Sequence, residues 1–359
     1  AGEAVILLKN EGGLLPLEDA RLACVAVIGP NAAEAVISGG GSSIVDPLYS
    51  VSTLEGLRAR LGERVRILHE PGCSNQGEEE SDEAGIERAA AAARQADAAV
   101  VCIGMPLLFE TEGGDRPHMD LPGRQVELVR RVAQANPRTV VVMTAGAPVS
   151  MPWLESVPAV VHGLKTGQDG GNALAAILCG DVNPSGKLTE SLPARLEDNP
   201  AYLDYPGGRE VFYGEGIFVG YRYYDKRGAA PLFPFGYGLS YTSFEYSGLE
   251  VQSSGKASDP VSVTLSITNS GGQAGKEVVQ VYVRDVKSSL PRPVKELKAF
   301  AKVALLPGET RAVQFTLDER AFAFYDPARH GWVVEPGDFE IQVGSSSRDI
   351  RIKAAFQLG

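Results

Sequence analysis

Between residues 21 and 180 two sequence patterns take turns, and that alternation limits the fold more than any other feature. Mostly apolar runs predict strands: "RLACVAVIG" (21–29), "RVRILHE" (64–70), "DAAVVCIG" (97–104), "RTVVVMTAG" (138–146) and "AVVHGL" (159–164). Helical patterns lie between or after them: "VSTLEGLRARLG" (51–62), "EAGIERAAAAARQA" (83–96), "GRQVELVRRVAQA" (123–135) and "GGNALAAILCG" (170–180). A strand that is apolar on both faces must be covered on both. Such strands separated by helices read as α/β: a doubly wound, mostly parallel sheet sandwich.

From Phe244 onward the pattern changes to apolar–polar alternation, as in "PVSVTLSITNSG" and "KEVVQVYVRD". Turn signals such as Pro307-Gly308 and Pro336-Gly337 break it into six or seven short strands. That spacing predicts an all-β, immunoglobulin-like sandwich. The expected domains are an α/β domain over 1–190, an irregular connector over 191–243, and the sandwich over 244–359. The connector is rich in Pro, Gly, Tyr and Phe, and its aromatic content predicts that it packs against something.

The chain has 359 residues and a net charge of -11, with no basic tract, so nucleic acid and anionic membranes are poor partners. No apolar run approaches the ~18 residues of a membrane span. The four cysteines, Cys24, Cys73, Cys102 and Cys179, are scattered without a CxxC pair. They suggest neither a zinc site nor a disulfide framework, and leave the compartment open.

Ligands of open α/β sheets bind at the carboxyl ends of strands. The loop 105–121 leaves such an end and carries "FETEGGDRPHMD", with Glu110 and Glu112 two residues apart beside Gly113-Gly114. A carboxylate there can reach a cleft and move protons. Most loop glutamates are merely solvated charges, and sequence alone leaves both readings open. Asp115 and Arg116 form a local charge pair suited to ordering the loop. "GGGSS" (39–43) and "VIGPNA" (27–32) lack both nucleotide fingerprints. A tight loop approaching a sugar or another domain fits those glycines better. His69 and His162 stand at strand ends as structural groups, and His118 is at best a supporting group. Without a GxSxG serine, no hydrolase triad is indicated. Tyr221, Tyr223 and Tyr224 read as packing residues between domains.

Six segments in order carry a resemblance: "LLKNEGGLLPL", "VAVIGPNA", "ETEGGDRPHMDLPGRQ", "TGQDGGNALAAILCGDVNPSGKLTESLP", "YGEGIFVGYRYYD" and "PLFPFGYGLSYTSFEY". Together they resemble the second and third domains of family 3 glycoside hydrolases, the β-glucosidase and β-xylosidase type. The resemblance implies an α/β sandwich followed by a fibronectin type III-like domain. It also implies a general acid/base glutamate in an "EG-x-DR" context, which falls on Glu112, with Glu110, Asp115 and Arg116 supporting the loop.

In the family the nucleophile is an aspartate on a (β/α)8 barrel, and this stretch of sequence shows no barrel. The implied role is therefore part of a retaining exo-β-glycosidase, inactive as this chain alone. Its implied partners are a barrel domain and a β-glycoside substrate, with no metal or organic cofactor. A proton donor of this kind suits a raised pKa, for which Glu110 is a candidate neighbouring carboxylate. Two alternatives are a non-catalytic carbohydrate-binding or docking module that kept the fold and, more weakly, a nucleotide-binding α/β protein.

Overall fold

A computed structural model describes residues 1–79 and 81–359. They fall into two units, Ala1–Gly186 with Gly238–Tyr241, and Lys187–Tyr237 with Thr242–Gly359.

The first unit runs β1 (Ile6–Asn10), β2 (Cys24–Ile28), α1 (Thr53–Leu61), β3 (Arg66–Glu70), α2 (Asp82–Arg94), β4 (Ala98–Gly104), α3 (Gln125–Ala135), β5 (Thr139–Thr144), β6 (Ala159–His162) and α4 (Gly170–Leu178). The strands form one sheet in the order β1-β6-β5-β4-β2-β3. β2 to β6 are parallel, and β1 closes the edge antiparallel to β6. Every residue of β2, β4, β5 and β6 is buried, which is why these strands read as unbroken apolar runs.

Side chains alternate between the two faces of the sheet. Val25, Val27, Val100, Val142 and Val161 share a core with Leu54, Leu57 and Leu61 of α1 and with Leu174, Ile177 and Leu178 of α4. α2 and α3 pack on each other and against β2 to β5, and none of their residues joins that cluster, so they cover the other face. Ser52 starts α1: its hydroxyl accepts from the Glu55 N–H, and the Glu55 carboxylate accepts from the Ser52 N–H, satisfying two free donors. Among the described residues no helix is long and apolar enough to cross a membrane. The strand β1 is not anticipated by the sequence pattern. Its residues lead directly into "KNEGG", so it lacks the flanking helix that marks the others.

The strand order places a reversal between β2 and β4. From β2 the chain goes outward to β3, and from β4 it goes the other way to β5. The loops that leave the carboxyl ends of these two neighbours meet at this reversal, the place where open α/β sheets bind ligands. They are the "GGGSS" loop and the acidic loop.

In the second unit α5 (Tyr221–Arg227) precedes β7 (Phe244–Gln252), β8 (Val261–Asn269), β9 (Gly275–Asp285), β10 (Glu296–Leu305), β11 (Thr310–Leu317), β12 (Phe324–Asp326), β13 (Gly331–Val333), β14 (Gly337–Gly344) and β15 (Ile350–Leu358). Sheets β10-β9-β14-β15 and β11-β8-β7 make the sandwich, and β12–β13 is a separate hairpin. Alternate residues of β8, from Val261 to Ile267, share the core with Val279, Val281 and Val283 of β9 and with Phe339, Ile341 and Val343 of β14.

Residues 187–237, which show little periodicity in the sequence, belong with this unit and hold the short helix α5. Tyr221 stacks on Phe235 at 4.9 Å and meets Tyr282 edge-on, and its hydroxyl accepts from the Leu297 N–H at 2.8 Å. Asp225 is buried and paired with both Lys295 and Arg348. Replacing Asp225 by Ala leaves the Lys295 ammonium buried without its partner. We expect a loss of about 3 kcal/mol in urea unfolding of this chain. A loss under about 1 kcal/mol would show that this pair does not fasten α5 to the sandwich.

Candidate active site

The acidic loop is fixed at its two ends by Gln125, the first residue of α3. The fully buried Gln125 amide accepts from the Gly104 N–H at 2.9 Å and donates to the carbonyls of Gly104 and Pro122 at 3.1 and 3.0 Å. One side chain thus ties the end of β4 to the end of the loop. The sequence reading gave Gln125 no role. The available signal was its register, because residues 125, 128, 129 and 132 form the buried stripe of α3 and only 125 is polar.

Glu110 holds the middle of the loop. Its carboxylate accepts from the N–H groups of Gly146, at 2.9 Å, and Ala147, at 3.1 Å, just beyond β5. It also pairs with Lys165 at 2.7 Å, and both side chains are nearly buried. The Lys165 ammonium donates in addition to the Met105 carbonyl at 3.3 Å. The residue before it, Leu164, has φ 53. That left-handed conformation costs a non-glycine residue ~1–2 kcal/mol, and it turns the chain leading into Lys165. Arg116 donates to the Pro148 carbonyl at 2.9 Å, so two loop residues grip the segment after β5.

Glu112 differs from Glu110: it is exposed. The "GGGSS" loop lies against it. The Gly40 N–H donates to the Glu110 carbonyl at 2.7 Å, and the Ser42 N–H donates to the Glu112 carboxylate at 3.0 Å. A Cβ on Gly40 would lie 2.7 Å from Thr111, and one on Gly41 would lie 2.4 Å from the Glu112 Cβ. Gly41 also has φ +70. These glycines exist so that one loop can lie against the other.

The electrostatics correct one expectation. Ser42, through its hydroxyl and then its N–H, holds the Glu112 carboxyl below its ordinary value of 4.5. Nothing buries Glu112, and the Glu110 carboxylate is committed to Lys165. The Glu112 carboxyl is therefore lowered, not raised, in this chain.

His118 lies on the same loop, exposed, with its Nδ1 accepting from the Asp120 N–H. His162 is buried at the end of β6, where burial pushes its pKa down, and its Nδ1 meets the Met143 carbonyl. His69 meets the Val27 carbonyl in the same way. Among the described residues no three His, Cys, Asp or Glu side chains converge to hold a metal ion. Around the two loops large apolar side chains stand in the open, with Leu48 97% and Leu108 76% exposed and Ile44, Val45 and Tyr49 more than half exposed.

A family model described as the glycosyl hydrolase family 3 C-terminal domain matches residues 5–241, and one for the fibronectin type III-like domain matches 277–347. The chain belongs to glycoside hydrolase family 3. It is 45% identical over its whole length to the thermostable beta-glucosidase B of Acetivibrio thermocellus, covering 47% of that protein. It is 40% identical over 99% of its length to an exo-alpha-(1->6)-L-arabinopyranosidase of Bifidobacterium longum, again covering 47%. The crystal structure of a family 3 beta-glucosidase from Bifidobacterium adolescentis superposes with a TM-score of 0.93 at 39% identity, over 99% of this chain and 52% of that one. The chain thus spans about half the length of the family 3 relatives it matches.

Two outcomes follow from this geometry. Gly41→Ala forces a strained φ and a collision with the Glu112 side chain, so the variant should lose ~1–2 kcal/mol in thermal unfolding and broaden the NMR signals of residues 111–113. Unchanged signals would show that the loops do not depend on each other.

For pH, the folded pKa of Glu112 lies below its unfolded value. Its ionised form supports the fold above about pH 4.5, and that support is lost as the pH falls through the depressed value. Ser42→Ala should move the Glu112 carboxyl titration, followed by carbon NMR, up toward 4.5, and an unmoved titration would remove Ser42 as the cause.

Proposed function

We propose that this chain is the acid/base-bearing portion of a retaining exo-β-glycosidase. It would act on terminal non-reducing β-D-glycosyl residues together with a (β/α)8 barrel that supplies the nucleophile. The observation that carries this reading is the contrast between two glutamates of one loop. Glu110 is buried in an ion pair, whereas Glu112 is displayed at the β2/β4 reversal on a glycine platform.

In the proposed reaction a barrel aspartate attacks the anomeric carbon while Glu112 protonates the departing glycosidic oxygen. Glu112, now ionised, then takes a proton from the water that cleaves the glycosyl–aspartate bond. This double displacement needs the two carboxyl groups ~5–5.5 Å apart across the scissile bond. The bare apolar residues flanking the loops, from Ile44 to Tyr49 and at Leu107 and Leu108, suit a surface that a barrel covers.

Docking would offset the lowering that Ser42 gives the Glu112 pKa in this chain. A barrel closing over the carboxylate removes water and brings up a second negative charge, and both raise its pKa. The acid is then created by assembly.

The test is hydrolysis of an aryl β-glucoside. This chain alone should show negligible turnover, and adding a family 3 barrel should restore it. Glu112→Ala in the assembled enzyme should cut the rate for a poor leaving group ~10²–10⁴-fold. Azide should rescue it on an activated leaving group, which needs no acid. Ordinary turnover by the chain alone would overturn the division of labour. Equal loss and equal rescue in Glu110→Ala would move the role away from Glu112.

A further inference from the structure

The fibronectin-like unit contains a cleft of ≈ 760 Å³ beside the β12–β13 hairpin, a volume typical of ligand pockets. Of the three hairpin aromatics that line it, Phe324 is buried, and Tyr325 and Trp332 are 47% and 55% exposed. They stand edge to face at 5.6 Å, and the Arg320 guanidinium lies over the Trp332 ring. Aromatic rings held open in a concave wall offer a platform for the C–H face of a sugar ring, whose hydroxyls stay at the rim.

The rest of the lining mixes apolar residues, such as Leu290, Pro291 and Pro293, with charged ones, and the charge is unbalanced. Four cations, Arg222, Arg292, Lys298 and Arg320, face two carboxylates, Glu296 and Asp318. Arg292 is fully engaged: it pairs with Asp285 at 3.0 Å and Glu296 at 3.1 Å, and donates to the Phe322 and Ala323 carbonyls. Glu296 is shared further, with Arg222 at 3.2 Å and Lys298 at 3.6 Å. One carboxylate therefore serves three cations. Among the described residues Arg320 has its ring contact and no ion pair, and Asp318 is occupied in capping the turn at Ala321. Burial lowers the Lys298 pKa; the Glu296 carboxylate works against that shift, and the charges of Arg292 and Arg222 add to it. This is local positive excess in a chain whose net charge is -11.

We propose that this cleft binds an acidic sugar residue, a uronic acid unit of a glycan. Its ring would lie on the Trp332 and Tyr325 wall, and its carboxylate would complete the coordination of Lys298 and Arg320. A neutral sugar leaves the cationic floor unanswered. A small inorganic anion leaves the aromatic wall unused. The proposal needs no barrel and no turnover, so it stands or falls apart from the catalytic reading.

The chain reports on this site by itself, because it has two tryptophans and Trp153 is fully buried. The experiment is a fluorescence titration of this chain with a glucuronic-acid-substituted xylo-oligosaccharide, with the unsubstituted oligosaccharide and with acetate. We expect saturable quenching by the acidic sugar and about tenfold or greater weakening for the neutral one and for acetate. Lys298→Met and Arg320→Gln should each weaken the acidic sugar about tenfold, with thermal unfolding unchanged. Trp332→Phe should remove the signal, while calorimetry on that variant still detects binding. The proposal is overturned if the acidic sugar does not quench, if the neutral sugar or acetate binds as tightly, or if both charge variants bind like the parent.

Discussion

The Glu110 carboxylate joins three elements that the chain reaches separately: the loop after β4, the turn after β5 and the turn after β6. Two backbone N–H groups and one ammonium converge on it in a site nearly closed to water. A buried ion pair adds little net stability, because desolvation of both charges offsets their attraction. Its consequence is positional. A carboxylate that must meet Gly146, Ala147 and Lys165 together has one place to be, and that sets where the loop can carry Glu112.

The same constraint explains the glycines on the facing loop. Once Glu110 fixes the loop, Thr111 and Glu112 pass so close to Gly40 and Gly41 that a Cβ there has no room. The strand order supplies the reason for the pairing. β2 and β4 are neighbouring parallel strands, so the loops that leave their carboxyl ends meet. Glu112 stands there ionised, held by Ser42, with apolar side chains open around it.

Much of the fold is visible in the residues because burial on two faces and burial on one face leave different patterns. β2, β4, β5 and β6 are buried throughout and mostly apolar, whereas β8 alternates with period two. The loop after β4 is equally legible, since acids and glycines follow directly on a buried strand. β1 and α5 are not, because an edge strand is short and a seven-residue helix of tyrosines and charges has no clear stripe. Gln125 is hidden for another reason. A polar residue in an apolar register signals a buried hydrogen bond, yet only the folded chain names its partners.

Sequence alone determined the two layered architectures and the family, together with the loop that carries two glutamates, because these depend on periodicity and on motifs contiguous along the chain. Only the tertiary structure decided which glutamate is buried and which is presented. Gly146, Lys165 and Ser42 lie 36, 55 and 70 residues from their carboxylate partners, and such distances are closed by the sheet. Local sequence fixes what a residue is able to do, and packing fixes which groups surround it and hence its charge and its access.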